Sequence, residues 1–381
     1  MKPFVATISI LAMLLIAQPA FAQDSRSGTS FTDQSKFMLA GFGFVNAVDQ
    51  KGEISSFQMG FNPILLWQPS RKFFFESELE FAIEEGVTEV TLEYAQLLFL
   101  ANRYVTFGGG KFLNPTNVFM ERLHPAWINK FPDMPFGLGG HSGVPILAST
   151  QVGVQARGGI SMGSIRFGYA AYMSNGPSIV VEEEAGEGHA HGSAGVGTAN
   201  FNNTSDNNGD KAFGGRVAVL PWRTLEIGYG FETAAVGDAS TEFKDVRSRN
   251  NVVDLNYVDD LSFLRGRLDV RGQVVWLDID NPDVHPLEFD NSSVAGYGQL
   301  AFRPGIGKAF VQNFEFVARY DFQDLPSQVE ENVDVERISL GLNYWFSPAG
   351  VLKMAVENIT RKEMLGDEND YRVVGQFSLG F

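Results

Sequence analysis

The residue types that most often carry chemistry are sparse in this chain, which has five histidines and no cysteine among 381 residues. His189 and His191 stand close to a run of carboxylates, and imidazole with carboxylate is a ligand set that suits a divalent metal. The neighbouring carboxylates are Glu182, Glu183, Glu184 and Glu187. The H-x-H spacing lies in a glycine-rich acidic segment, so a solvated loop is the alternative to a metal site.

Catalysis by a nucleophile or a general base needs side chains that rigid elements hold together. All the histidines fall in segments that we predict to be loops, and no serine–histidine pair shares a predicted strand face. The histidines are His124, His141, His189, His191 and His285. We therefore expect no enzyme and no cofactor, with a membrane-bound hydrolase as the disfavoured alternative.

Charge in this chain is plentiful and negative, with 29 basic and 45 acidic residues and a formal net charge of −16. That balance argues against nucleic acid as a partner. The stretch FFFESELEFAIEE, residues 73–85, alternates carboxylate with apolar residues. Its acidic positions are Glu76, Glu78, Glu80 and Glu84, and its apolar positions are Phe75, Leu79, Phe81 and Ile83. Because successive side chains of a strand point to opposite faces, this pattern predicts a strand with one acidic and one apolar face.

The same alternation assigns other charged residues to the polar face of their strands and places Tyr94 on the apolar face. The predicted acidic members are Glu76, Glu78, Glu80, Glu89, Glu93 and Glu226. The predicted basic members are Arg157, Arg166, Arg216, Arg265, Arg267, Arg271, Arg319 and Arg337.

Segments with this two-residue period recur to the last residue, and each is near the ~9–11 residues that a tilted strand needs to cross a bilayer. We predict sixteen of them, separated alternately by short and mostly longer links; a miscounted hairpin would give fourteen or eighteen. The longer links lie near 113–148, 174–210, 235–248, 278–292 and 362–370. The pattern predicts an all-β fold, a closed antiparallel transmembrane β-barrel with short periplasmic turns and long extracellular loops.

The two ends of the chain agree with this fold. Residues 1–22 have a basic start at Lys2, an apolar core and a small-residue ending at Ala20-Phe21-Ala22, which predicts a secretory signal peptide before one barrel domain, 23–381. The last strand ends on Phe381 and keeps apolar residues on one parity from Tyr371 onward, typical of strands read by the barrel-assembly machinery. A soluble antiparallel sandwich is the alternative.

The predicted acidic face has a consequence for the barrel interior. Burying carboxylates in a dry interior is very costly, and a barrel of sixteen strands is wide enough to leave an aqueous channel. We expect the acidic wall to face the arginine-rich segment 263–277 across the lumen. The alternative is that neighbouring strands pair these charges into ion pairs that brace the lumen.

The link 113–148 is long yet rich in Phe, Trp, Leu, Met and Pro, so we expect it to fold inward and narrow the channel, with a cap across the barrel mouth as the alternative. Its candidate polar residues for a constriction are Lys111, Glu121, Arg122, His124, Asp133 and His141. The link 174–210 is glycine-rich, acidic and histidine-containing, and we expect it to be mobile.

Two stretches resemble the phosphate-selective porin O/P type of outer-membrane channel. In FGGGKFLNPTNVFMERLHPAWINK the similarity is carried by Gly110, Lys111, Phe112 and Pro115, and NGDKAFGGRVAVLPW carries Arg216 and Pro221. The resemblance implies a sixteen-stranded, trimeric porin. Phosphate selectivity in that group depends on a luminal arginine ladder and a lysine cluster, for which Arg265, Arg267 and Arg271 are one candidate ladder.

The sequence therefore predicts a porin in the outer membrane of a Gram-negative bacterium that lets small hydrophilic solutes or ions diffuse passively. We expect it to contact outer-membrane lipid and to form a homotrimer. The alternatives are a channel specific for an oxyanion, through the arginine wall, or for a divalent metal, through the His/Glu loop. A structural or adhesive barrel is a further alternative.

Overall fold

The computed structural model describes residues 35–84, 86–139, 143–180, 199–201, 205–241, 243–281, 291–326, 333–363 and 366–381. Within these ranges sixteen antiparallel strands close into one barrel, which confirms the predicted fold class. The predicted signal peptide, residues 1–22, lies outside the described residues. No helix in the described ranges is both long and apolar enough to cross a membrane.

The barrel strands follow one another around the wall in chain order. They are β1 Lys36–Gln50, β2 Ser56–Gln68, β3 Phe73–Glu84, β4 Val87–Leu100, β5 Val105–Leu113, β6 Thr150–Met162, β7 Ile165–Asn175, β10 Lys211–Trp222, β11 Leu225–Ala235, β12 Arg247–Leu261, β13 Gly266–Ile279, β14 Ser292–Pro304, β15 Phe314–Asp324, β16 Asp334–Ser347, β17 Gly350–Glu363 and β18 Gly366–Gly380. Two short strands, β8 Ser178–Ile179 and β9 Ala199–Asn200, pair outside the barrel sheet. The helices are a single turn at Phe119–Leu123 and α1, Ala309–Gln312.

The strands alternate between an apolar outer face and a polar inner face. In β16, Ile338 and Leu340 expose 56% and 61% of their surface, whereas Arg337 and Ser339 beside them are buried. This arrangement is the reverse of a water-soluble protein and suits a wall whose outside faces lipid.

The barrel closes where β1 pairs with β18. Gly41 and Phe381 exchange two backbone hydrogen bonds, of 3.1 and 2.9 Å. Gly41 has φ +152°, and a Cβ atom there would lie 2.3 Å from the carbonyl oxygen of Asn62. The final aromatic residue is therefore part of the closing seam, at a point too tight for any side chain on Gly41.

The link between the last two strands is shorter than predicted. β17 and β18 stay paired as far as Glu363 and Gly366, so the link comprises only residues 364–365 rather than about 362–370. Charged residues near the end of this long hairpin continue the backbone pairing of β17 with β18. The alternation of apolar and polar residues does not distinguish such residues from a polar loop.

A β-bulge interrupts the regular alternation in β4. Glu78 pairs with Tyr94 and Leu79 pairs with Leu92, which leaves Glu93 as an extra residue. An extra residue shifts the face on which the following side chains lie. Tyr94 is consequently buried on the inner side with Glu78, and its prediction as a lipid-facing residue is wrong.

Residues 114–139 and 143–149, here called the inner loop, lie inside the barrel. Its residues Phe119, Leu138 and Ile146 are almost completely buried, in one apolar cluster with Val275 and Ala295 of the wall. Part of the lumen is thus filled by a dry core that joins the inner loop to the inner faces of β10–β14. Burial of this apolar surface favours the inward position of the loop.

Candidate functional site

Five carboxylates form an acidic face on the inner side of β3 and β4, and the name acidic face is used below for Glu76, Glu78, Glu80, Glu89 and Glu93. Glu78 is buried, while Glu76 and Glu80 are half-buried. Glu76 and Glu78 accept hydrogen bonds from neutral amides. Asn62 Nδ2 donates to Glu78 over 3.1 Å, and Gln96 Nε2 donates to Glu76 over 2.7 Å.

His124 of the inner loop lies against this face. Its Nε2 atom is 3.8 Å from Glu78 Oε1 and makes no hydrogen bond within the described residues, and its Nδ1 atom contacts the carbonyl of Met120. Burial alone would lower the pKa of His124, but the negative charges of Glu78 and Glu93 raise it above the ordinary 6.5. His124 therefore becomes positively charged more readily than a free histidine, directly opposite a buried carboxylate.

A chain of alternating charges runs from β6 to β11 and β10 beside the helical turn of the inner loop. Glu121 accepts hydrogen bonds from Arg157 of β6 and from Arg122, the latter over 3.0 Å. Arg122 also donates to Glu226 of β11 over 2.9 Å, and Glu226 accepts from Arg216 of β10 over 2.7 Å. The side chains of Arg122 and Arg157 are 41% and 35% exposed, so this chain borders solvent-accessible space.

A second group of charges, the arginine cluster, fixes the inner loop to the opposite part of the wall. It consists of Arg319 of β15, Arg337 of β16 and Arg372 of β18, which all contact Asp133 of the inner loop. Arg319 Nη2 lies 2.9 Å from Asp133 Oδ1, and Arg372 Nη2 lies 2.6 Å from Asp133 Oδ2. Three wall residues thus share one carboxylate of the loop.

Two further carboxylates support the arginine cluster from the wall. Asp321 accepts from Arg319 over 2.9 Å and from Arg337 over 2.8 Å, and Glu357 accepts from Arg372 over 2.6 Å. With Asp133, three carboxylates balance three guanidinium groups, so the cluster has no net formal charge. Arg319 and Arg337 are each only 2% exposed. The cluster is a neutral, largely buried anchor for the loop.

Two lysines add to this anchor. The alternation pattern was not used to predict a role for either of them. Lys353 of β17 is fully buried and donates to Gln376 over 2.7 Å and to the carbonyl of Ala126 in the inner loop. Lys130 of the loop lies 2.8 Å from Glu315 of β15. Lys353 stands on the inward parity of its strand, so the alternation that identified Arg337 carried the same signal for it.

Lys111 is not in the constriction, and that prediction is wrong. β5 continues to Leu113, and Lys111 pairs with Ala95 and Val152, which places it on the outer face. Its Nζ atom donates to the carbonyl of Leu92, beside the bulge of β4, over 2.6 Å. The bulge thus leaves a carbonyl that the lysine satisfies on the outer wall.

The proposed arginine ladder is split between a turn and a strand. Arg265 lies in the turn before β13, outside the strand in which we expected it. Arg267 is at the rim, 3.3 Å from Asp260, and Arg271 is deeper and 2.7 Å from Asp269. Arg166 is exposed near the start of β7, on its inward parity.

The predicted metal ligands His189 and His191 lie outside the described residues, as do His141 and His285. Within the described ranges, no group of three or more histidine and carboxylate side chains is arranged to hold a metal ion.

No protein-family model and no curated protein matches the chain. Solved structures are similar in fold. The anion-selective porin of Comamonas acidovorans has a TM-score of 0.56 at 12% identity, over 91% of this chain and 100% of that one. The outer-membrane channel DcaP of Acinetobacter baumannii has a TM-score of 0.53 at 11% identity, over 93% and 100% of the two chains. OmpF of Salmonella typhi has a TM-score of 0.53 at 12% identity, over 92% and 98%.

These similarities show the fold, a sixteen-stranded barrel of the kind found in outer-membrane porins. They do not confirm the resemblance to the phosphate-selective porin O/P type.

Proposed function

We propose that this protein is a porin of a Gram-negative outer membrane, which lets small hydrophilic solutes diffuse passively and prefers cations. The observation that carries the proposal is the closed barrel with an apolar outer wall and a charged inner wall, part of which is exposed beside the inner loop. Such a wall is expected to pass solutes by size and charge without covalent chemistry. We therefore also propose that the protein is not an enzyme.

The preference for cations rests on unequal neutralisation of the two inner walls. On the acidic face, Glu76 and Glu78 accept hydrogen bonds from the uncharged amides of Gln96 and Asn62, and His124 lies 3.8 Å from Glu78. The arginine cluster, by contrast, has equal numbers of positive and negative groups, and Arg319 and Arg337 in it are buried. Fixed charges lining a water-filled passage with low-dielectric walls raise the local concentration of counter-ions, which here are cations.

A channel specific for an oxyanion is the second candidate, and the number of inward arginines is what favours it. Arg319 and Arg337 are occupied by Asp133 and Asp321, so an anion would have to displace carboxylates that are already bound. Uptake of a divalent metal through His189 and His191 has no support from the described residues. Contact with outer-membrane lipid, recognition of the last strand by the barrel-assembly machinery and a homotrimeric state complete the proposal.

The test is planar-bilayer conductance with a KCl gradient across the membrane. We expect a reversal potential of the sign for cation preference, and we expect Glu76→Gln combined with Glu80→Gln to lower the cation-to-anion permeability ratio about threefold. Two charges about 8 Å from an ion in water contribute roughly 1 kcal/mol together, and less at high salt.

Glu336→Gln is the matched control, because it makes the same change on the outer face of β16. Absence of ion conductance in the wild type would contradict the channel itself. Conductance with an unchanged reversal potential in the double variant would contradict only the role of the acidic face.

A further inference from the structure

The basic residues of the short turns are distributed unevenly around one end of the barrel. The turns that join β2 to β3, β4 to β5, β6 to β7 and β10 to β11 contain no Asp or Glu, although the chain has a formal net charge of −16. The basic residues in these turns are Arg71, Lys72, Arg103 and Arg223. Short turns lie at the periplasmic end of barrels of this kind. One side of this rim therefore presents positive charge where the wall leaves the membrane.

Lys72 lies beside two aromatic rings of the outer wall. Phe73 and Phe99 form a cross-strand pair on the outer face, with 5.0 Å between their ring centroids, and Phe73 is 47% exposed. The Nζ atom of Lys72 is 5.9 Å from the centroid of the Phe99 ring, close enough for a cation–π interaction. The amide of Leu100 donates to the carbonyl of Lys72 over 2.7 Å, which links the β2–β3 turn to the end of β4. The ammonium group is thus held at the edge of the apolar wall.

Arg103 has a similar arrangement in the next turn. Its guanidinium carbon is 4.5 Å from the centroid of the Tyr104 ring, and Tyr104 is 42% exposed. The hydroxyl of Tyr169 on β7 donates to the carbonyl of Tyr104 over 2.9 Å. The side-chain oxygen of Asn102 accepts hydrogen bonds from the amides of Tyr104 and Val105 over 2.8 and 3.1 Å, which fixes the turn. The guanidinium group therefore has a fixed place on the rim.

Basic residues at the opposite end of the barrel are arranged differently. Three exposed basic residues there form ion pairs with carboxylates of the same chain. The pairs are Lys211–Asp206, Arg249–Asp280 and Lys362–Glu336. In the part of the chain that the structure describes, neither Lys72 nor Arg103 forms an ion pair with a carboxylate. Their positive charges therefore attract anions from outside the barrel.

We propose that this part of the outer rim binds a phospholipid whose headgroup has a net negative charge, such as phosphatidylglycerol. The rim site consists of Arg71, Lys72, Phe73, Phe99, Arg103 and Tyr104. Basic side chains near a membrane surface attract anionic lipids. The acyl chains would run along the outer wall over Phe99 and Phe107, which are paired across β4 and β5. The proposal rests on the proposed place of the protein in the outer membrane.

The position of the rim site favours a membrane lipid over a dissolved anion. Its charged groups lie on the outer side of the barrel, next to the apolar residues Phe73 and Phe107, which are 47% and 50% exposed. A phospholipid contacts the charged groups with its headgroup and the apolar wall with its chains. A dissolved anion would contact only the charged groups.

The experiment is native mass spectrometry of the full chain in neutral detergent micelles, with added phosphatidylglycerol or phosphatidylethanolamine of the same acyl chains. We expect the wild type to bind phosphatidylglycerol more tightly. Lys72→Gln combined with Arg103→Gln should lower this affinity at least about tenfold, because each basic side chain near a membrane surface contributes roughly fivefold. Lys72→Arg combined with Arg103→Lys keeps both charges and should change the affinity less than about threefold.

Arg223→Gln combined with Lys308→Gln is the matched control, since it removes the same charge from other turns at the same end of the barrel. It should change the affinity for phosphatidylglycerol less than about twofold. The proposal is overturned if the wild type binds both lipids equally. It is also overturned if the control variant loses as much affinity as the variant at Lys72 and Arg103, which would indicate attraction by overall charge.

Soluble glycerol phosphate distinguishes a lipid from a dissolved anion as the ligand. It should not displace phosphatidylglycerol, and displacement at an equal concentration would overturn the assignment to a lipid. Circular dichroism checks that each variant is folded. Conductance in KCl, measured in a bilayer of neutral phosphatidylcholine, tests the proposed channel separately, so the failure of the rim site is distinguishable from the failure of the channel.

Discussion

The acidic face and the arginine cluster lie on different parts of the same inner wall. They differ in whether their charged groups are bound by neutral or by oppositely charged partners. On the acidic face, Asn62 and Gln96 hold carboxylates by neutral hydrogen bonds. In the arginine cluster, Asp133 and Asp321 bind the guanidinium groups directly. The electrostatic field in such a lumen therefore depends on which charges are compensated by neighbouring groups. The number of charged residues on each wall does not predict this field.

The two regions also differ in what they do for the fold. The arginine cluster ties Asp133 of the inner loop to three wall strands, and Arg319, Arg337 and Asp321 in it are buried from water. Charges that have left water depend on their partners, and removing one partner leaves the others uncompensated. The acidic face meets the loop at His124, which lies 3.8 Å from Glu78. We therefore expect stability to depend on the arginine cluster and ion preference to depend on the acidic face.

The largest effect should come from Asp321→Asn in the arginine cluster. Asp321 is fully buried and binds both Arg319 and Arg337, so the change leaves two buried guanidinium groups undercompensated. We expect the free energy of unfolding to fall by about 3–5 kcal/mol. The measurement is the urea dependence of unfolding in detergent micelles.

Glu80→Gln is the counterpart on the acidic face, where Glu80 is half-buried. It should change the free energy of unfolding by less than about 1 kcal/mol. Equal losses of unfolding free energy in Asp321→Asn and Glu80→Gln would contradict the proposal that stability depends on the arginine cluster and ion preference on the acidic face.

An intermediate effect should follow from the pH dependence of His124. Its pKa is raised above 6.5 in the folded protein, so its charged form stabilises the fold fully below pH 6.5. This stabilising contribution is lost as the pH rises through the raised pKa of His124. We expect the melting temperature to decrease as the pH rises through the raised pKa of His124.

The variant His124→Gln isolates this contribution, because glutamine does not titrate. Its melting temperature should lack the decrease seen in the wild type when both are followed by circular dichroism from pH 5 to 9. A wild-type melting temperature that rises over this range would show that charged His124 is unfavourable in the fold.

The smallest effect should come from the arginines of β13. Arg267 and Arg271 each lie beside a carboxylate, Asp260 and Asp269 respectively, so their fields are partly cancelled. Replacing both with glutamine should shift the reversal potential toward cations, with less than about a twofold change in the permeability ratio. A shift larger than that caused by the double change at Glu76 and Glu80 would place the selective wall on β13.

Many of the side chains on the inner wall could be predicted from the sequence, because the alternation of inward and outward side chains is a local property of each strand. Arg319 stands between Ala318 and Tyr320, and Arg337 is followed by outward-facing Ile338, so their inward direction follows from the two-residue period of a strand. The period does not reveal an inserted residue, so it predicts the wrong face for Tyr94. Lys111 precedes the predicted link 113–148 and lies within β5 on its outward parity, so the same alternation, applied to β5, excludes it from the constriction.

The sequence by itself determined that this chain forms a closed barrel, because a two-residue period of apolar and polar side chains over sixteen segments fits a wall between two different solvents. The tertiary structure alone decided which charges are compensated. Asp133 is separated from Arg319, Arg337 and Arg372 by about two hundred residues or more, and only the path of the inner loop brings them together. Coulomb energies depend on distance in space and on burial, and neither can be read from positions along the chain.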